Sequence, residues 1–221
     1  MKKLEMYKQG IMVALYGIFY MVCFAYLEQG RDGMVYHVIH TPLDDWIPFC
    51  ELFVVPYLLW FFYVGIVVYY LAFIKKEGFT KFALSAVFGT LIFIMISALY
   101  PNMQDLRPEV FERDNIFVGL VQMLYATDTP TNVLPSLHVY MSIITNMAIC
   151  DETGFKKNER ICCISKILCV AIILSTMLIK QHSVIDVGMG IIMAYMAYDW
   201  FYKPAESTNK VWVERWNQIR F

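Results

Sequence analysis

An all-α bundle of about six membrane-crossing helices is the architecture this sequence predicts, on three observations. Of 221 residues, 59% are hydrophobic and only 17% charged, against roughly 25% charged in ordinary globular domains. Apolar segments of about the 20 residues that a bilayer span needs recur near 10–27, 52–74, 82–100, 134–150, 161–179 and 182–202. The basic residues are shared very unequally between the loops on the two sides.

The first segment follows Lys2, Lys3 and Lys8 and has the look of a signal peptide. It is long, and Phe24-Ala25-Tyr26-Leu27 lacks the small residues of a cleavage site, so it reads as an uncleaved helix. The second segment carries Pro56, which predicts a kink near its start. The fourth, opening at Pro135-Ser136, is the shortest. Trp46, Trp60, Trp200, Trp212 and Trp216 mostly lie near span ends, as interfacial anchors do. Two long loops, near 28–51 and 101–133, share one side. Within them, residues 115–126 are apolar but too short to span, which suits an interfacial or re-entrant helix that roofs a site. Asp44-Asp45 precede a helical pattern and suit its N-terminal end. The tail from Lys203 onward mixes charge with tryptophan and reads as a cytoplasmic, surface-lying segment. One domain, residues 1–221, is expected.

With six spans both termini share a side. That side holds 14 of the 18 basic residues; the other has only Arg31, Arg107, Arg113 and Lys180. The positive-inside rule then puts the termini in the cytoplasm and the long loops outside. A net charge of −1 gives no reason to expect a nucleic-acid partner. The six cysteines, Cys23, Cys50, Cys150, Cys162, Cys163 and Cys169, show no metal-ligand spacing and read as small apolar fillers.

All four histidines, His37, His40, His138 and His182, fall on the predicted outer side. His182 and Asp186 are four apart, on one face of a helix. A carboxylate one turn inside a span needs a partner. The pair suits either a structural tie or an imidazole whose far nitrogen is left as base or nucleophile. Pro135-Ser136-Leu137-His138 opens the fourth span. Proline and serine mark a helix start, whose free N–H groups and dipole favour an anion beside His138. Taken alone, the segment reads more simply as a plain cap with an interfacial histidine. Asp105-Leu106-Arg107-Pro108 supplies a guanidinium fork suited to phosphate oxygens, or a solvated loop residue. Together these parts are what phosphoryl transfer needs. Lys180, two residues before His182, adds a further positive charge.

In order and spacing these residues resemble the type 2 phosphatidic acid phosphatase (PAP2) superfamily. That family carries Lys-x6-Arg-Pro, Pro-Ser-Gly-His and Ser-Arg-x5-His-x3-Asp. The matches here are Arg107-Pro108, Pro135-Ser136-Leu137-His138, and Ser175 with His182 and Asp186. The motif core covers residues 100–190; the first two spans match in topology only. Tyr100 and Thr176 stand where the family has two cations, and Leu137 replaces its glycine. Pro-Ser-Leu-His with no arginine before His-x3-Asp is similar to the inositol phosphorylceramide synthase-like branch, which transfers phosphorylated head groups between lipids. The resemblance implies His182 as nucleophile through a phosphohistidine and Asp186 as the group that orients and charges its ring. It implies His138 as acid to the leaving alkoxide and then base to water or alcohol. Arg107, Ser136 and the backbone near Leu137 would hold the phosphate oxygens, with Lys180 standing in for a missing cation. It implies no metal and no cofactor. His37, His40 and Asp128 are the weaker candidates, for lining the entry.

The expectation is therefore a multi-pass lipid phosphatase of the cell membrane with its site at the outer face. Head-group transfer is the alternative, and a non-catalytic transporter or scaffold is a third reading. Transporters place ionisable groups at the midplane on broken helices, whereas these cluster near one face. A vanadate-dependent haloperoxidase shares the superfamily site, but those enzymes are soluble.

Overall fold

The computed structural model describes residues 2–28, 34–74, 78–151 and 158–203, with side chains from residue 8 onward. Eight α-helices carry almost all of it: α1 (Lys2–Glu28), α2 (Pro42–Trp46), α3 (Val54–Tyr69), α4 (Phe79–Leu99), α5 (Ile116–Thr127), α6 (Leu137–Cys150), α7 (Glu159–Leu178) and α8 (Val184–Ala197). A 3-10 turn, Glu51–Phe53, leads into α3, and π-helical turns prolong α3 to Ile74 and α8 to Tyr202. The two-residue strands β1 (His37–Val38) and β2 (Asn102–Met103) pair in parallel, His37 opposite Asn102. The molecule is thus the all-α bundle the composition predicts. The tail beyond Lys203, with Trp212 and Trp216, lies outside the described residues.

Five helices are long and apolar enough to cross a membrane: Lys8–Glu28, Glu51–Ile74, Phe79–Leu99, Glu159–Leu178 and Val184–Tyr202. The chain is therefore a multi-pass membrane protein. The expected fourth span is different. Residues 134–136 stay outside the helix, and α6 has 14 residues, about 21 Å of length against a hydrocarbon layer of about 30 Å. Its position explains why that suffices. It packs against α3, α4, α7 and α8, and Val139, Tyr140, Ile144 and Thr145 are completely buried. Non-helical backbone at membrane depth is tolerated where protein rather than lipid surrounds it. Pro56 sits in the first turn of α3, where its missing N–H removes no intrahelical bond.

The main core gathers on α6: Tyr140, Ile144, Ala148 and Ile149 meet Tyr63, Val67 and Leu71 from α3 and its extension, Phe82 from α4, Ile172 from α7 and Ala194 from α8. Gly89 lets α4 reach α6. A Cβ there would stand 2.0 Å from the Tyr140 ring. The Tyr140 hydroxyl donates to the Ser85 carbonyl at 2.5 Å, which satisfies it within the bundle. At the end of α6 remote from its N-terminus, Cys150 and Cys162 form a disulfide. The fold brings these two sulfurs together between α6 and α7, a proximity that their sequence context as apolar fillers does not suggest. Lys81 and Asp151 pair nearby at 3.3 Å.

At the other end of α6 the long loops fold over the bundle. Residues 115–126 do form a helix, α5, capped by Asn115 Oδ1, which accepts from the Phe117 and Val118 amides at 3.0 Å. A second core joins Val121 and Leu124 of α5 to Val54, Tyr57 and Ile179.

Candidate active site

Three backbone devices bring the predicted residues together. The turn between α7 and α8 reverses at Lys180, which adopts φ 54°. That left-handed conformation is unusual for lysine. The Gln181 and His182 amides then both donate to the Thr176 carbonyl, at 2.9 and 3.0 Å, which fixes His182 just ahead of α8. Ser136 is the N-cap of α6, its hydroxyl accepting from the Val139 amide. The Ser136 amide donates to the Asp186 carbonyl at 3.1 Å. Gly190 allows this approach of α6 to α8, because a Cβ there would lie 2.8 Å from the Ser136 carbonyl oxygen.

The result is a histidine pair. The rings of His138 and His182 have centroids 5.7 Å apart. His182 Nδ1 faces Asp186 Oδ2 at 3.4 Å, so Nε2 points away from the carboxylate. Asp186 is completely buried. Its Oδ2 also accepts from the Ser183 amide at 2.9 Å, while Oδ1 has no hydrogen-bond partner. His138 is held between Tyr57 and Trp60, with ring centroids at 4.6 and 4.5 Å. The amides of Leu137 and His138 open α6 and have no intrahelical partner, so its N-terminus remains available to an anion.

The N-terminus of α8 is already occupied. The buried Asp44 carboxylate accepts from the Val184 amide at 2.8 Å, the Ser183 hydroxyl at 2.7 Å and the Thr41 amide at 2.8 Å. Lys180 Nζ donates to the Asp44 carbonyl at 2.8 Å. The expected phosphate ligand Lys180 is thus engaged in this tie. Burial holds its ammonium below the usual lysine range, against nearby Asp44 and Asp45.

Arg107 reaches the site indirectly. Its guanidinium lies over the Tyr125 ring at 4.4 Å and donates to the carbonyls of Tyr125 and Asp128 at 3.2 and 2.7 Å and to Gln181 Oε1 at 2.5 Å. Burial draws it below the usual arginine range, with Asp128 opposing. Gln181 in turn donates to Asp128 Oδ2 at 3.4 Å, and the Tyr57 hydroxyl donates to the same oxygen at 3.1 Å. Burial pushes the Asp128 carboxyl up, against the pull of His182, Tyr57 and Arg107. Arg107 therefore braces Gln181 and Asp128 and does not itself line the cavity, so any contact with a phosphate there would run through these neighbours.

The histidines face a cavity of 690 Å³. Met12, Tyr16, Tyr20 and Phe24 of α1 form one wall, Trp60 and Phe61 of α3 and Phe82, Ala86 and Phe93 of α4 the others. From Phe79 to Phe93 it follows α4 for about 20 Å. Asp128, His138, Gln181 and His182 lie together at the Phe93 end. Among the described residues lining it, Asp128 is the one carboxylate, and no lysine or arginine appears. Of the expected entry residues, Asp128 lines the cavity. His37 instead stacks on Tyr100 with centroids 4.2 Å apart. His40 pairs with Asp45 at 2.8 Å, which raises it above the usual histidine range.

No family model, curated protein or solved structure matches this chain. Among the described residues no group of three or more His, Cys, Asp or Glu is placed to hold a metal ion. Sequence reasoning missed three contributors: Tyr57, Gln181 and the cap formed by Asp44. The Asp44 signal was present, since an acid before a short helical pattern marks an N-terminus. It closes that helix, α2, through the Thr41 amide; the second helix it caps, α8, is distant in sequence.

Proposed function

We propose that this chain is a membrane enzyme that cleaves a phosphate ester of a lipid through a phosphohistidine on His182, with water taking the phosphoryl group. The observation that carries the reading is the convergence of His138 and His182, 5.7 Å apart, at the polar end of a long apolar cavity. That end suits a phosphate and the remainder suits a hydrocarbon chain, as amphiphile sites do.

His182 Nε2 attacks phosphorus, forming an N–P bond as the P–O bond to the alcohol breaks. His138 gives its proton to the departing alkoxide. Asp186 holds Nδ1 and stabilises the charge that develops on the ring. Water then loses a proton to His138 and attacks phosphorus; the N–P bond breaks and His182 is restored. The open N-terminus of α6, beyond the Ser136 cap and at Leu137, is the anion-stabilising element. The motif order resembling type 2 phosphatidic acid phosphatases supports the same assignment. The excess of basic residues on the termini side supports cytoplasmic termini and a site at the extracytoplasmic face.

A second reading replaces water with a lipid hydroxyl, giving head-group transfer. The absence of a lysine or arginine among the described cavity residues favours it, because a doubly charged phosphate group normally recruits such cations.

The test uses purified protein with lipid esters labelled at phosphorus. Wild type should carry label on protein after brief reaction. His182→Ala should carry none and turn over nothing, and His138→Ala should be about 100-fold slower or worse. Undiminished turnover by His182→Ala would remove the proposal.

A further inference from the structure

We propose that Asp128 determines substrate charge: the cavity admits a phosphodiester with one negative charge and disfavours a doubly charged monoester. This rests on reading the histidine pair as a phosphate-ester site. Asp128 lines the same end of the cavity as His138 and His182. It is not a stray surface acid. The Tyr57 hydroxyl, whose ring packs on His138, donates to its Oδ2, as does the Gln181 amide. Arg107 holds both its carbonyl and Gln181. Three side chains thus fix a carboxylate beside the attacking residue.

The consequence is electrostatic. An ionised carboxylate repels each negative charge brought to His182, and does so strongly where apolar walls exclude water. Arg107 offsets it only partly, because its guanidinium lies over the Tyr125 ring, against the Tyr125 and Asp128 carbonyls, and not among the residues that line the cavity. The monoester brings about one charge more than the diester above its second pKa near 6. The extra substituent of a diester also gives Asp128 something to accept from: a hydroxyl or ammonium on the head group. The proposal holds whether water or an alcohol is the acceptor.

The experiment compares phosphatidic acid with phosphatidylglycerol of the same acyl chains, at pH 8, with full-length purified protein. Wild type should favour the diester in kcat/KM. Asp128→Asn, which keeps the shape of the side chain, should move that ratio toward the monoester by about tenfold or more. Asp128→Glu should keep the wild-type preference. A second measurement needs no variant. Dodecyl phosphate and its methyl ester differ at pH 8 essentially by one charge, and the methyl ester should inhibit wild type at least several-fold more tightly. Equal inhibition, a monoester preference in wild type, or an unchanged ratio in a stably folded Asp128→Asn would overturn the charge filter alone. Turnover that survives His182→Ala would instead overturn the underlying reading, and this proposal with it.

Discussion

At the scale of single residues, the carboxylates near the histidines have separate tasks. Asp186 faces His182, Asp128 faces the cavity, and Asp44 caps α8. Asp44 offers the sharpest stability prediction. Its Oδ1 accepts from an amide, Val184, and its Oδ2 from another, Thr41. An asparagine would have to present its NH2 to one of those obligatory donors whichever way it turned. Asp44→Asn should therefore destabilise nearly as much as Asp44→Ala, by about 2–3 kcal/mol. That is seen as a fall of several degrees in thermal midpoint. A wild-type midpoint for the asparagine variant would refute the arrangement. The i, i+4 spacing of His182 and Asp186 made their pairing legible in the sequence, because helix periodicity alone brings them together. The neighbours of Arg107 were not legible. Its guanidinium is drawn to Gln181 and two carbonyls by long-range folding of the loop, which no local pattern encodes.

Whole elements show the same division between local and long-range information. The five long spans could be read from apolar runs because a bilayer imposes length and hydropathy on each one separately. α6 is shorter still than its apolar run, because helices on all sides bury it, which frees it from the length a lipid-facing span needs. The cavity was invisible for a related reason: its aromatic lining on α1, α3 and α4 is indistinguishable in sequence from lipid-facing side chains. What positions the site is the crossing of α6 and α8, where Gly190 meets the Ser136 carbonyl. Gly190→Ala puts a methyl against backbone that cannot rotate away. It should separate α6 from α8 by tenths of an ångström, carrying His138 from His182. Reaction geometry is sensitive to such shifts, with about 100-fold lost per ångström in unfavourable cases. A fall in kcat of about tenfold is expected. Gly188→Ala is the control, since a Cβ there meets nothing within 4 Å and alanine favours helix. Equal activity in the two variants would show that the crossing does not govern the histidine pair.

For the whole molecule, orientation in the bilayer links charge to redox chemistry. The histidine pair lies at the N-terminal end of α6 and the Cys150–Cys162 disulfide at the C-terminal end of that helix, near Arg160 in the first turn of α7. Two physical tendencies pull against each other there. On the proposed topology of six crossings, fourteen of the eighteen basic residues share that side and favour a cytoplasmic placement of it, whereas disulfides persist in oxidising compartments. The charge bias is the stronger constraint, because it acts on every loop during insertion, while a pair of nearby thiols can exist in either state without altering topology. The two cysteines should therefore be thiols in living cells and close on exposure to air after purification. Rapid alkylation before lysis, followed by mass analysis of the peptides holding Cys150 and Cys162, reads this directly. Two alkylated cysteines are the expected result. A fully protected, oxidised pair in cells would turn the protein over in the membrane and bring the histidine site to the cytoplasmic face, where its lipid would have to be drawn from the inner leaflet.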